Sequence, residues 1–430
     1  MLLSALALAC GAIVSCQVRG AQVGGSPLLR FLERRSGLIC FVAPDGNVHV
    51  IDQAGGADRA LTNDAGSGTG AAVIYTALTW SPDGRQLAFT RFSLAADRVQ
   101  EASLYAARPG GRSMRLFSSR DLTPFYLYWS PDSSRISLLS QVKGESDLEL
   151  GVSPAGKEEA YTALDRGAPY YWNWLADSAS IAAHANAQRG GLLGERLSLI
   201  TLDPAPRKTD VPVQADFFQA PDVSPDGKNL AYVTGSDGGF ALRVRSLDGS
   251  SERSVATDNG AAYFAFSRDG KHIAYLAAVS AQPVPQGFLR IVSLAGKPAS
   301  RKITEAPVLA FFWAPDGRTL AFIIPDSAPD MDPMFQNNPD QFALKILGCD
   351  AGTGRTWTIA RFPVTRSLIS ILPFFDQYQR SATIWSPDSR FIVFTALSST
   401  GNPALYIARA DGNLKPRFLA NGDNAFWSWK

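Results

Sequence analysis

Between Leu78 and Phe92 the chain reads LTWSPDGRQLAFTRF: an apolar stretch ending on tryptophan, six polar or turn-forming residues, then a second apolar stretch. Both stretches are too short for a helix, and Pro-Asp-Gly stands between them. Proline presets φ there, aspartate can bond a nearby amide, and glycine tolerates positive φ. The pattern predicts a hairpin. It recurs as LYWSPDSSRISLLSQ from Leu127, WNWLADSASIAAHA from Trp172 and PDVSPDGKNLAYVTG from Pro221. Further copies are FAFSRDGKHIAYLAA from Phe264, FFWAPDGRTLAFIIP from Phe311 and TIWSPDSRFIVFTAL from Thr383. The copy at Asp177 is degenerate, with Leu175 and Ala176 replacing the usual Ser-Pro. Several copies continue into a third strand and a Gly-containing turn, as in SLYAARPGGRSMRLF (103–117) and LRVRSLDGSSERSV (242–255).

The motif aspartates are Asp83, Asp132, Asp177, Asp226, Asp269, Asp316 and Asp388, at spacings of 49, 45, 49, 43, 47 and 72. A period of 43–49 residues matches one four-stranded propeller blade. The two chain ends extend the count. GLICFVAPDGNVHVIDQAGGADRALT (37–62) also contains Pro-Asp-Gly, but its apolar stretches align with the second and third strands of the other units. NAFWSWK (424–430) carries the Trp-Ser of the motif and then stops. Phe426, Trp427 and Ser428 take the places of Thr79, Trp80 and Ser81. The first unit thus lacks strand one, and the last residues supply it. The expectation is an all-β fold: an eight-bladed β-propeller closed by pairing of the N- and C-terminal strands. Seven blades is the alternative if the degenerate fourth unit is not a blade. Closure removes the exposed sheet edges of an open array.

These motifs resemble the TolB-type β-propeller repeat, a WD-like family common in exported bacterial proteins and found in the propeller domains of some serine peptidases. The resemblance covers nearly everything after residue 36. It implies periplasmic, envelope-associated protein contacts. TolB itself also carries an N-terminal α/β domain, whereas about twenty residues separate Cys16 from the first strand here. The Tol–Pal role is therefore not carried over.

The first residues, MLLSALALACGAIVSCQ, are apolar with small residues interspersed and read as a secretory leader. Ile13-Val14-Ser15-Cys16 resembles the lipobox of bacterial lipoproteins, which implies lipidation at Cys16 and a periplasmic or cell-surface protein anchored to a membrane through lipid. No Lys or Arg precedes the apolar run, which departs from that pattern. The expected organisation is a signal peptide at 1–16, a tether at 17–36 and the propeller at 37–430. Of the remaining cysteines, Cys40 falls in blade one and Cys349 in blade seven, with a blade between, so two separate buried thiols are expected.

Composition narrows the function classes. The 41 basic and 39 acidic residues are dispersed, without the basic stripe of a nucleic-acid binder. No G-x-S-x-G nucleophile elbow occurs, and a hydrolase domain beside the propeller has no residues left to form it. The three histidines, His49, His184 and His272, belong to different units, so a histidine-based metal centre is not expected. PDSAPDMDP offers Asp326, Asp330 and Asp332 but lacks the order and glycine of a calcium loop. No cofactor is expected. The motif aspartates are explained by their turns.

Two features are candidates for binding. Aromatic residues crowd the entry to strand one: PFYLYW (124–129), PYYWNW (169–174), DFF (216–218), YFAF (263–266) and FFW (311–313). They either fill the wedges between blades, the preferred reading, or stack on a ligand at the channel mouth. Tyr126, Tyr171 and Tyr263, each three residues before the motif Trp or Phe, are the surface candidates. The second feature is the 72-residue spacing, which holds two insertions, 325–341 and 363–381, on the same face. Within the latter, Phe374, Phe375, Asp376, Gln377, Tyr378 and Arg380 combine aromatic anchors with charge, as partner interfaces do. The same segment could instead cap the channel of its own ring. The sequence thus points to a non-catalytic binding or scaffold protein of the cell envelope, a monomer whose partner is an envelope protein or a glycan or peptide ligand. The alternative is a propeller-type polysaccharide lyase or hydrolase with a channel-mouth active site.

Overall fold

The computed structural model describes residues 36–430, except 69–70, 97, 190–191, 218, 237, 281–285 and 327–341. Thirty-two strands, β1–β32 in chain order, form eight antiparallel sheets among the described residues. Blade 2 spans 66–119, blade 3 122–167, blade 4 170–210, blade 5 222–259, blade 6 261–302 and blade 7 310–363. Blade 8 holds three strands over 391–421, and residues 383–385 complete its inner edge through a bridge from Trp385 to Ile392. The degenerate unit around Asp177 forms a full four-stranded blade, so the count is eight.

Blade 1 is assembled from both ends of the chain. Its outer strands come from 39–60, and its inner strand is β32 (Asp423–Trp427). β32 pairs antiparallel with β1 (Ile39–Val42), placing Ile39 opposite Trp427 and Cys40 opposite Phe426. Ser428 then takes the role expected of the motif serine: its hydroxyl accepts from Leu38 N–H at 2.9 Å.

One hydrogen bond recurs between neighbouring blades. The motif indole donates to the backbone carbonyl of the residue that precedes the motif aromatic in the blade before it. Trp129 reaches Thr79 O at 3.0 Å, Trp174 Tyr128 O at 3.1 Å, Trp313 Ala265 O at 3.1 Å and Trp385 Phe312 O at 3.1 Å. Trp80 does the same to Phe426 O at 3.3 Å, across the junction of the chain ends. These indoles are buried in the wedges, which satisfies their N–H while the ring fills apolar space. Val223 and Phe266 occupy the motif position in blades 5 and 6 and have no such donor.

The motif aspartates are turn residues. Asp83 Oδ1 accepts from Ser81 Oγ at 2.6 Å and from Arg85 N–H at 3.0 Å, and Asp132, Asp226, Asp269 and Asp388 repeat this with Ser130, Ser224, Ser267 and Ser386. Where the serine is missing, Asp177 and Asp316 accept two backbone N–H groups instead. The copies with serine after the aspartate also serve the ring. Ser133, Ser178 and Ser389 accept from the N–H of Asp83, Asp132 and Asp316 in the preceding blade. At the equivalent Gly317, φ is +68° and a Cβ would lie 2.7 Å from Asp269 N, so the two blades approach more closely there than a side chain allows without a shift.

Cys40 and Cys349 are free and buried, and desolvation pushes both thiols up to about 12. They are inert packing residues. Among the described residues no helix is long and apolar enough to cross a membrane. Cys16 and the leader lie outside the described residues.

Candidate functional site

Strand one of each blade lines the channel, and the connections into it open on one face. The 363–381 insertion turns inward from that face. Its composition departs from the alternating apolar pattern around it and is helical: α1 (Arg366–Ile371), a 3-10 turn (Leu372–Phe374) and α2 (Phe375–Ser381). Thr365 caps α1 by accepting from Leu368 N–H at 3.3 Å, and Ser367 Oγ ties α1 to Asp423 of blade 1 at 2.5 Å.

α2 fills the middle of the ring. Phe375 is fully buried, with its ring 5.0 Å from Phe311, 5.7 Å from Tyr263 and 6.5 Å from Phe312. On the other side Tyr378 meets Tyr126 edge-on at 5.3 Å, and Tyr126 donates its hydroxyl to Gln377 O at 2.9 Å. Thr79 Oγ1 donates to Ser381 O. Arg380, only 7% exposed, reaches Asp222 Oδ1 with Nε at 3.1 Å and Phe264 O with Nη2 at 3.2 Å. Ala220 N–H points at Asp376 Oδ2 at 3.4 Å. One short segment is thus bonded to blades 1, 2, 3, 5 and 6 and packed on blade 7. It is a plug.

The structure brings the sequence candidates together. Tyr126 is buried, and Tyr171 and Tyr263 are half-buried. Burial raises the pKa of all three; for Tyr171 desolvation, with the Asp376 charge added, takes it to about 12. Phe375, Asp376, Gln377 and Arg380 are buried in contacts with the chain's own ring, Tyr378 is half-buried and Phe374 is 46% exposed. Of the other insertion, 325–341, Asp326 is ion-paired to Lys345 at 2.9 Å and to Arg361. Asp330 and Asp332 lie outside the described residues. The histidines sit in blades 1, 4 and 6. Among the described residues no group of three or more metal-ligating side chains comes together.

Asp376, the carboxylate of the plug, has no cation at ion-pair distance among the described residues. Desolvation holds its pKa above the ordinary 3.8, against the pull of Arg380 and of the backbone amides of Ala220, Gln377 and Asp376. A folded-state pKa above the unfolded value means that the native state binds the extra proton, so this group's contribution to stability falls as pH rises from 3.8. Asp376→Asn is therefore expected to raise Tm at neutral pH, with the gain shrinking as pH is lowered towards that value. Melting curves across the range check this; an Asn variant no more stable at neutral pH would overturn it.

A set of residues at the level just before the motif aromatic was missed by sequence reasoning. Tyr128, Asn173 and Asp222 occupy this position in blades 3, 4 and 5. Tyr128 donates its hydroxyl to Asn173 Oδ1 at 2.9 Å, and Asn173 Nδ2 donates to Asp222 Oδ1 at 2.8 Å. Phe266 N–H donates to Asp222 Oδ2 at 2.6 Å, and Arg380 completes the chain. In blades 6, 7 and 8 the same position holds Ala265, Phe312 and Ile384, so one half of the channel wall is polar and the other apolar. Three consecutive polar residues at one repeat position are the signal that could have found it.

The ring defines the protein as an eight-bladed β-propeller of the four-stranded repeat type, with its channel closed by an insertion. No protein-family model and no curated protein sequence matches the chain. Solved structures of similar fold include dihydro-heme d1 dehydrogenase NirN in complex with DHE (15% identity, 97% of this chain and 78% of that one, TM-score 0.54). Another is oligogalacturonate lyase in complex with manganese (16% identity, 87% and 97% covered, TM-score 0.50). TolB from Acinetobacter baumannii is matched over 62% of this chain and 63% of its own length, at 15% identity and a TM-score of 0.38. At these identities the likeness is one of fold.

Proposed function

We propose that the protein is a non-catalytic binding or scaffold protein of the bacterial cell envelope, exported, anchored through lipid at Cys16, and engaging a partner on the face where the connections into strand one emerge. The observation that carries this reading is where exposed apolar side chains collect. Of the seven large hydrophobic residues exposed among the described residues, five lie on that side: Ile74, Val99, Phe125, Phe217 and Phe374. Exposed aromatic side chains around a rigid centre are what a protein partner buries. Phe217 also holds φ at 57°, a left-handed conformation unusual for a bulky residue. Beneath them the polar groups of the channel mouth are bonded to the plug, which supports a closed platform over an open catalytic cleft.

Placing a photo-reactive phenylalanine analogue at position 374 in living cells tests the proposal. The expected result is a discrete crosslinked adduct that is lost when Phe125→Asp is added. Turnover of an anionic polysaccharide by the purified protein, with a stoichiometric metal, would overturn it.

A further inference from the structure

The opposite mouth of the channel contains a site of a different kind. A cavity of about 210 Å³ opens there, between the motif turns of blades 3 to 6 and the inner end of the plug. Trp174, Trp313 and Phe266 form apolar wall, while Asp222, Arg268, Gln379 and Arg380 line its polar side. Arg268 stands where five other copies of the motif have proline (Pro82, Pro131, Pro225, Pro315 and Pro387). Its backbone N–H therefore has no part in the turn, and the side chain is the departure to be explained.

The charges of the cavity do not cancel. Asp222 accepts from Asn173 on Oδ1 and from Phe266 N–H on Oδ2, and its Oδ1 is ion-paired to Arg380 Nε at 3.1 Å, so both its oxygens are engaged. Arg268 donates Nη2 to Gln379 O at 2.9 Å and lies 4.6 Å from the centre of the Trp429 ring. No described carboxylate reaches it at ion-pair distance, although it stands close enough to Asp222, Tyr128 and Arg380 to feel their charges. Its side chain is exposed where the cavity opens, so the guanidinium is met by solvent and is accessible to a ligand entering from that mouth. An arginine offers five N–H donors, and one is engaged here among the described residues. The second observation is independent of charge: Gln379 is 5% exposed, and its Nε2 has no hydrogen-bond partner among the described residues. A buried donor left unmade is costly unless something else accepts from it.

We infer that this cavity binds a small organic monocarboxylate, its carboxylate held by the fork of Arg268 and the amide of Gln379, and its body lying against Trp174 and Trp313. One uncompensated positive charge suits one negative charge, and the planar fork matches a carboxylate. The site is beyond the partner face proposed above and does not depend on it.

Isothermal titration calorimetry of the full chain with benzoate, with benzamide as its neutral counterpart and with inorganic phosphate tests this. Benzoate should bind saturably, and benzamide at least about tenfold more weakly, because a charge-assisted bond is lost. Arg268→Pro restores the residue of the other copies and should fold while losing benzoate binding. Arg268→Gln is the second variant should the proline variant misfold, and it should lose at least about tenfold in affinity. Equal binding of benzamide, undiminished binding by a folded Arg268 variant, binding of phosphate alone, or no saturable binding of any probe would each overturn the assignment.

Discussion

Deleting residues 424–430 is expected to produce the largest loss of stability of any short truncation, with a steep fall in Tm and aggregation on warming. The segment supplies most of the inner strand of blade 1, and its bonds reach three ways. Trp427 N–H donates to Thr383 O at 2.8 Å, Ser428 N–H to Leu38 O at 2.7 Å, and the Trp427 indole to Ser36 O at 2.6 Å. Phe426 O accepts the Trp80 indole of blade 2. Without them blades 8, 1 and 2 are no longer joined, and β1 becomes an unpaired edge open to another chain. Trp427 alone is fully buried among Ile39, Phe391 and Val393. Trp427→Ala should cost about 3–5 kcal/mol, a large share of the ~5–15 kcal/mol that holds a typical native state. Differential scanning fluorimetry and light scattering check both variants. A truncated chain that melts with the intact one and stays monodisperse would refute ring closure by these residues.

How far the sequence reaches is clearest at this seam. Strand register is fixed by short-range chemistry that repeats, so the Trp-Ser of the last seven residues could be aligned with Trp80-Ser81 and the missing strand assigned. The motif aspartates were legible for the same reason: turn geometry is local, and the Ser–Asp–amide bonds span five residues or fewer. What was not legible is what depends on the centre of the ring. The candidates Tyr126, Tyr171, Tyr263 and the 374–380 segment do meet, but the sequence left open whether 363–381 projects or folds inward. That choice is settled by pairs such as Arg380 with Asp222, and no local pattern links residues so far apart. Arg268 was visible as a break in the motif, yet the meaning of the break lies in the Asp222 that other groups have already taken.

The plug itself yields the second large effect. Arg380→Ala should destabilise the protein by about 3–5 kcal/mol, because it leaves the Asp222 carboxylate buried without its cation. Asp222→Asn keeps an acceptor for Phe266 N–H but strands the guanidinium, and should cost a comparable amount. If the two charges matter chiefly to each other, Arg380→Met combined with Asp222→Asn should lose less than the sum of the single variants, with a coupling of about 0.5–3 kcal/mol. Hydrogen exchange then separates the plug from the ring. In Arg380→Ala the amides of α2 should lose protection while β32 keeps its own, since Arg380 donates to Phe264 O and pairs with Asp222, and its loss leaves α2 held by Arg268 and Ala220 on that side and by Tyr126 and Thr79 on the other. The reverse holds for Trp427→Ala, where the seam between blades 8 and 1 loosens first. Strictly additive single variants, or an Arg380→Ala protein whose α2 amides exchange as slowly as before, would mean that apolar packing of Phe375 and Tyr378 holds the plug and that the buried pair is incidental to it.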